Sequence, residues 1–373
     1  MKKIFLFGWF GENNVGDDAL LNQTLEEINS INNDVSITIF TNNCKSLEED
    51  LNLKNVDFRS KNLKNVIKAT KDYDIFVFGP GGLFPNRDLK KLMFIYFYIS
   101  YLKFLKKQIV FFGLGVENCN FESFFNRNIL KRIFSKCDKC ALRYDPKQYI
   151  NYDKFYKNTV VAADVMYLKK YPKMYKNNHN KYVIISLANI FETYSKEKEN
   201  FISSIKPLLL KLIEDGNELH FLTFTKNKDE IINSETIESL GKFKNYCLNI
   251  PFTKDLNFIF REFANCEMVV GMRYHSLVFA TNYSKPFIPV SYSSKIEELL
   301  YDFNLSFLSN KLCFFNNKYF CEKFEIDQNK ILMDYIYINR NYNEIKKTIE
   351  ENLKIERKKA KHNTEILSEF LGK

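Results

Sequence analysis

Short apolar runs and polar, glycine-broken segments alternate along the first half of the chain. "KIFLFGW", "VSITIFT", "DIFVFGP", "QIVFFGLGV", "KCALRY" and "TVVAADV" are nearly continuous apolar stretches. Runs of that length without strict alternation suit strands buried on both faces, as in a parallel sheet. Between them lie helical patterns such as "ALLNQTLEEINSI", which sets Leu21, Leu25 and Ile28 on one stripe. Strands alternating with helices predict a doubly wound α/β domain. The lysine- and asparagine-rich "KKYPKMYKNNHNK" interrupts the pattern. It then restarts with "YVIISLA", "ELHFLTFT", "NYCLNI", "EMVVGM" and "PFIPVSY". The expected organisation is a first domain over 1–168, a linker over 169–181, a second domain over 182–335 and a helical tail over 336–373. In that tail Ile345, Ile349 and Leu353 recur at four-residue spacing and can pack on a domain, and "ERKKAK" reads as a solvated face. A length of 373 residues suits two domains.

Composition narrows the partners. Hydrophobic residues make up 45%, too many for a disordered chain. A formal charge of +10 favours acidic ligands or anionic surfaces. No zinc-finger spacing or RNP-like aromatic-basic motif is present, so nucleic acid is not an expected partner. The eight cysteines are scattered through apolar or mixed segments and read as reduced, cytoplasmic thiols. Cys137 and Cys140 form a C-x-x-C pair, but no second pair completes a zinc site, so buried thiols and no metal are expected. The apolar run at the amino terminus is too short for a secretory leader and reads as a first strand. The longest apolar stretch, "LMFIYFYISYLKFL" from Leu92 to Leu105, falls short of the roughly 20 residues that span a bilayer. It is flanked by Lys90, Lys91, Lys106 and Lys107. A half-buried helix is the plain reading. The sharper one is an interfacial helix on an anionic membrane, giving peripheral contact at its inner face.

The candidate chemistry sits where strands end. "GWFGENNVGDDALL", Gly8 to Leu21, follows the first strand and opens a helix. Its glycines do not have dinucleotide-fingerprint spacing. Asp17 and Asp18 lie where a helix dipole keeps acids ionised, which suits capping or accepting hydrogen bonds from sugar hydroxyls. "FGPGGLFPNRD" follows a later strand, and its Gly79, Gly81 and Gly82 are expected to let backbone amides face a ligand. "GLGVEN" repeats the theme. In "LRYDP", Arg143 could grip a carboxylate or phosphate, or pair with Asp145. "GMRYHSLVFA" puts Arg273 and His275 between an apolar strand and an apolar helix, and Lys295 follows the next strand in "VSYSSK". Such junctions border the ligand crevice of open α/β sheets. Two fixed cations and one imidazole suit a small, multiply charged anion and supply a proton carrier near neutral pH.

Taken in order, these pieces resemble the polysaccharide pyruvyl transferase family. Members carry G-x-x-G-x-x-N-x-G-D near the start, here ending in Asn14, Gly16 and Asp17. A glycine-rich turn, here Gly81 and Gly82, and an R-x-D segment at Arg143 follow. G-x-R-x-H and Y-x-x-K, here Arg273, His275 and Lys295, come late in the chain. At Asp18 members often have glutamate. The resemblance runs from residue 3 to about residue 300 and leaves the tail unmatched. It implies two Rossmann-like domains of the GT-B kind with the active-site cleft between them, the first on the acceptor side and the second on the donor side.

The resemblance also implies the reaction. Pyruvate from phosphoenolpyruvate, used as co-substrate with no other cofactor, becomes a cyclic ketal on a sugar of a cell-surface polysaccharide or its lipid-linked precursor. His275 would be the acid/base and Asp17 a polar catalytic-site residue. Arg273 would bind the anion, with Arg143 and Lys295 as supporting cations and Asn14, Gly81 and Gly82 at the substrate. The donor carries a carboxylate and a phosphate, hence several cations; its methylene carbon must be protonated and sugar hydroxyls must lose protons, hence an imidazole. A GT-B glycosyltransferase using a nucleotide-sugar is the main alternative, and a catalytically silent sugar- or phosphate-binding protein the third.

Overall fold

The computed structural model describes residues 1–41, 43–44, 47, 55–60, 66–68, 70–84, 88–116, 123–145, 157–171, 181–191, 195–312 and 325–372. Its chain divides into two compact units. Unit 1 comprises Met1–Glu12, Asp17–Lys169 and Ile355–Lys373, and unit 2 comprises Asn13–Gly16 and Lys170–Lys354. The division between the large segments falls at 169/170; residues 172–180 of the expected linker lie outside the described residues.

Unit 1 holds a parallel sheet of seven strands among the described residues. These are β1 (Lys2–Phe7), β2 (Val35–Thr41), β3 (Val56–Ser60), β4 (Ile75–Phe78), β5 (Gln108–Leu114), β6 (Lys139–Leu142) and β7 (Thr159–Val161). Their spatial order is β3-β2-β1-β4-β5-β6-β7. The order reverses direction between β1 and β4, the switch point outside whose carboxyl ends a crevice opens. The apolar runs end up inside because both faces are covered. Phe5 on β1 stacks on Phe40 of β2 at 4.7 Å and on Phe76 of β4 at 4.9 Å between ring centroids. All three are fully buried, each contributing roughly 1.5–3 kcal/mol of burial. Helix α1 (Val15–Ile31) follows β1, and α2 (Leu89–Phe104) packs against α3 (Phe124–Phe134). Helix α2 is the long apolar stretch of the sequence. It buries Leu92, Ile99 and Leu102 and exposes Met93, Phe94, Phe97 and Phe104, so it is half-buried. None of the described helices is long and apolar enough to cross a membrane.

Unit 2 repeats the plan with six strands among the described residues. They are β8 (Tyr182–Ser186), β9 (Glu218–Leu222), β10 (Cys247–Ile250), β11 (Met268–Gly271), β12 (Phe287–Ser291) and β13 (Asn310–Lys311). The order is β10-β9-β8-β11-β12-β13, all parallel, with the switch point between β8 and β11. The helices are α4 (Ser195–Glu214), α5 (Asp229–Ser239), α6 (Leu256–Asn265), α7 (Tyr274–Asn282), α8 (Ser294–Asp302) and α9 (Gln328–Arg340).

The carboxy-terminal segment is not a free-standing tail. Helix α10 (Tyr342–Leu371) counts with unit 2 as far as Lys354 and with unit 1 from Ile355. Ile345, Ile349 and Leu353 are buried, as their spacing suggests. "ERKKAK" is only partly a solvated face, because Glu356 and Ala360 are buried and Lys359 closes an ion pair on Glu356 at 2.6 Å. Further on, Asn363 donates to the carbonyl of Ala163 at 3.0 Å. The described cysteines Cys44, Cys137, Cys140, Cys247 and Cys266 are free thiols. Burial beside Cys137 pushes the Cys140 thiol well up, away from thiolate chemistry. Among the described residues no group of three or more His, Cys, Asp or Glu could hold a metal ion.

Candidate active site

At the carboxyl edge of unit 2's sheet, strand β11 ends at Gly271 and α7 begins at Tyr274. The last ladder bond runs from the amide of Met272 to the carbonyl of Ser186, at the end of neighbouring β8, at 2.8 Å. Arg273 is the N-cap residue of α7, and Ser276 closes the first turn on its carbonyl. His275 is the second residue of the helix. The arginine and histidine therefore stand at the switch point, at the start of a helix. Lys295 stands at the start of α8, after β12, the strand next to β11. The structure thus brings Arg273, His275 and Lys295 to neighbouring strand ends of one sheet.

A residue not singled out from sequence fixes this geometry. Asp229, 0% exposed, takes the Arg273 guanidinium on both oxygens, with Nε donating to Oδ2 at 3.0 Å and Nη2 to Oδ1 at 2.5 Å. Its two oxygens also accept the amides of Asn189, at 3.2 Å, and Thr225, at 2.8 Å. One buried carboxylate therefore ties the loops after β8, β9 and β11 together. A two-point fork fixes the plane of the guanidinium as well as its position.

The first motif reaches the same edge. Residues Asn13–Gly16 belong to unit 2 by their contacts. Asn14 donates from Nδ2 to Thr225 Oγ1 at 3.1 Å, Val15 donates to the carbonyl of Phe224 at 2.9 Å, and Lys226 donates to that of Asn13 at 3.1 Å. Asn14 Oδ1 in turn accepts the amide of Gly16 at 2.9 Å, an Asx turn at the head of α1. Gly16 lies against the imidazole. A Cβ there would stand 2.1 Å from His275 Nδ1, so any other residue would have to displace the ring. On another side the imidazole meets the ring of Phe279, with centroids 6.3 Å apart.

The remaining candidates belong to unit 1. Asp17 and Asp18 occupy the first turn of α1. Arg143 follows β6 and is buried, its Nη1 bound to Asp164 at 3.0 Å, a partner that sequence proximity to Asp145 does not suggest. A Cβ on Gly115 would lie 2.4 Å from Arg143 Nη2, so the guanidinium rests on that backbone. The glycine turn after β4 corrects an expectation. Gly79 donates its amide to Phe7 and Gly81 donates its amide to Gly113, while Gly115 returns a bond to Gly81. These amides extend the sheet instead of facing a ligand. Glycine is required for conformation, with φ +117° at Gly79 and +100° at Gly81. Gly82 accepts Trp9 Nε1 through its carbonyl at 2.9 Å, which joins the loops after β1 and β4. Pro85 to Arg87 of this motif, and Glu117 and Asn118 of the next, lie outside the described residues.

Solved structures share this fold at low sequence identity. UDP-GlcNAc 2-epimerase from Neisseria meningitidis, bound to UDP-GlcNAc, is 12% identical with a TM-score of 0.60, covering 100% of this chain and 99% of its own. The S. aureus MnaA-UDP co-structure is also 12% identical at 0.60, over 94% of this chain and 91% of its own. A ugt transferase from Siraitia grosvenorii in complex with UDP is 9% identical at 0.59, with all of both chains covered. These likenesses bear out the reading of two Rossmann-like, parallel-sheet α/β units. No curated protein matches the sequence. The family model described as polysaccharide pyruvyl transferase matches residues 14–294, a span that opens at Asn14 and takes in Arg143, Asp229, Arg273 and His275. The chain belongs to the polysaccharide pyruvyl transferase family.

Proposed function

We propose that the protein transfers pyruvate from phosphoenolpyruvate to two hydroxyls of one sugar, in a cell-envelope polysaccharide or its lipid-linked precursor, and releases phosphate. One observation carries the reading: an arginine held in a two-point fork and a histidine backed by glycine share a helix start at a switch point, with Lys295 one strand away.

In this reading Arg273 and Lys295 receive the carboxylate and phosphate of the donor. His275 donates a proton to the methylene carbon, which becomes a methyl group and leaves C2 electron-poor. The first sugar hydroxyl adds to C2 and gives up its proton to the imidazole. The second hydroxyl then displaces phosphate, which departs with the bridging oxygen and takes up that hydroxyl's proton, so the bond broken is C2–O. Both sugar oxygens end on C2, and the cations neutralise the phosphate as it leaves. Asp17, at the head of α1, accepts hydrogen bonds from sugar hydroxyls. Arg143 supports the fold of its own sheet edge through Asp164. The reaction takes place in the cytoplasm.

A thermal-shift comparison tests the donor. Phosphoenolpyruvate should raise the melting temperature, since a ligand that binds only the native state stabilises it. A rise with uridine or guanosine nucleotides, and none with phosphoenolpyruvate, would replace this reading by a glycosyltransferase.

A further inference from the structure

Unit 1 contains a cavity of about 350 Å³ between the sheet and helix α2. That volume falls within the range of small-molecule pockets, roughly 300–1,000 Å³. Phe7 and Phe78, the last residues of β1 and β4, form its floor, and Leu83 follows directly on the glycine turn. Ile95 and Tyr98 of α2 form the opposite wall. Phe94 also lines it and is 47% exposed, so the cavity reaches the surface along that helix.

Its chemistry is uniform. The described lining residues are all aliphatic or aromatic. The only polar side-chain atom among them, the hydroxyl of Tyr98, lies 3.2 Å from Thr70 Oγ1. Burial raises the pKa of that phenol to about 12, so it stays neutral. A sugar, nucleotide or phosphate would lose its water there and find nothing to replace it. A hydrocarbon chain would lose nothing. Protein interiors are close-packed, so an apolar void of this size that reaches the surface suits an apolar guest.

The surroundings point the same way. Met93 stands exposed on α2, and Phe104 is exposed at its end. Lys90 and Lys106 are exposed at its two ends. Aromatic and aliphatic side chains with lysines beside them match an amphiphile with an anionic head.

We propose that this cavity binds one hydrocarbon chain of an anionic lipid, the tail of a lipid-linked saccharide acceptor. The assignment to the acceptor rests on the function proposed above; the chain-binding site rests on the cavity alone.

Trp9, the single tryptophan, is bonded to Gly82 beside lining residue Leu83 and reports on the cavity. The full chain, without phosphoenolpyruvate, is titrated with cis-parinaric acid while energy transfer from Trp9 is followed. Saturable binding of one molecule per chain is expected. Ile95→Phe, which fills the cavity, should weaken it at least about tenfold. Leu83→Phe serves if that variant does not fold. Phe97→Ser, which alters only the exposed face, should leave it unchanged. No saturable binding, or equal binding by both filled variants, overturns the site. So does binding only to phosphatidylglycerol vesicles that Phe97→Ser abolishes, because the helix surface would then be the contact. Turnover separates the source of the chain. If Ile95→Phe loses activity on a lipid-linked acceptor and keeps it on a water-soluble saccharide, the tail is the acceptor's. Equal loss on both overturns that assignment. Parinarate binding does not depend on pyruvyl transfer, so either reading can fail without the other.

Discussion

The two sheets repeat one strand order and put opposite chemistry at the same topological point. After β4, the amides of Gly79 and Gly81 are absorbed by β1 and β5, and side chains nearby wall an apolar cavity. Between β8 and β11 stand Arg273, its carboxylate Asp229, and His275 against Gly16. Topology supplies a crevice in each case. Which ligand enters is decided by whether the strand-end residues spend their polar groups on the sheet or keep them for the edge. The two arginines show the same contrast. Arg143 and Asp164 are 6% and 1% exposed, so that pair is sealed, whereas Arg273 keeps 18% of its side chain in solvent.

Five substitutions would break or sharpen this contrast. The largest effect is expected from His275→Ala. Removing a general acid/base costs about 10²–10⁴-fold in turnover. Phosphate release from phosphoenolpyruvate with acceptor should fall by that factor while the melting temperature barely moves. Full turnover would remove chemistry from this edge.

Next come the carboxylates. Asp229→Asn and Asp164→Asn each take the charge from a buried carboxylate that holds a guanidinium, at a cost of about 3–5 kcal/mol in unfolding free energy. Urea titration should show comparable losses. The kinetics should separate them, with a raised KM for phosphoenolpyruvate in Asp229→Asn and an unchanged KM in Asp164→Asn. A raised KM in both would end the division of labour between the edges. Gly16→Ala is a smaller change. Its methyl group must displace the imidazole, an overpacking of about 1–3 kcal/mol, and should appear as lost turnover more than lost stability. Thr225→Val should be mildest. It removes the hydroxyl that accepts Asn14 Nδ2, worth about 1 kcal/mol, and would lower the urea midpoint slightly.

Most of the strands were legible because parallel strands covered on both faces read as plain apolar runs. Two were not. Strand β3 is an edge strand with Asp57 and Arg59 in it, paired to each other at 2.8 Å, and β13 has only two residues. The R-x-H pair was legible from its place between strand and helix. Asp229 was not. In "TKNKDEII" it looks like any acid in a first helical turn, and its partner lies 44 residues away. Gly81 shows the reverse error. A glycine announces an unusual backbone, but where its amide points depends on the strand beside it. The stacking of Gly16 on His275 joins positions far apart in the chain, and neither carries a local sign of the other.

The allotment of Asn13–Gly16 to unit 2 bears on how such enzymes can be recombined. A hybrid spliced at 169/170 would keep a native R-x-H edge but inherit a foreign strip against Thr225 and His275. Shuffling that transplants the later segment must carry these four residues with it, or the imported histidine will rest on the wrong neighbour.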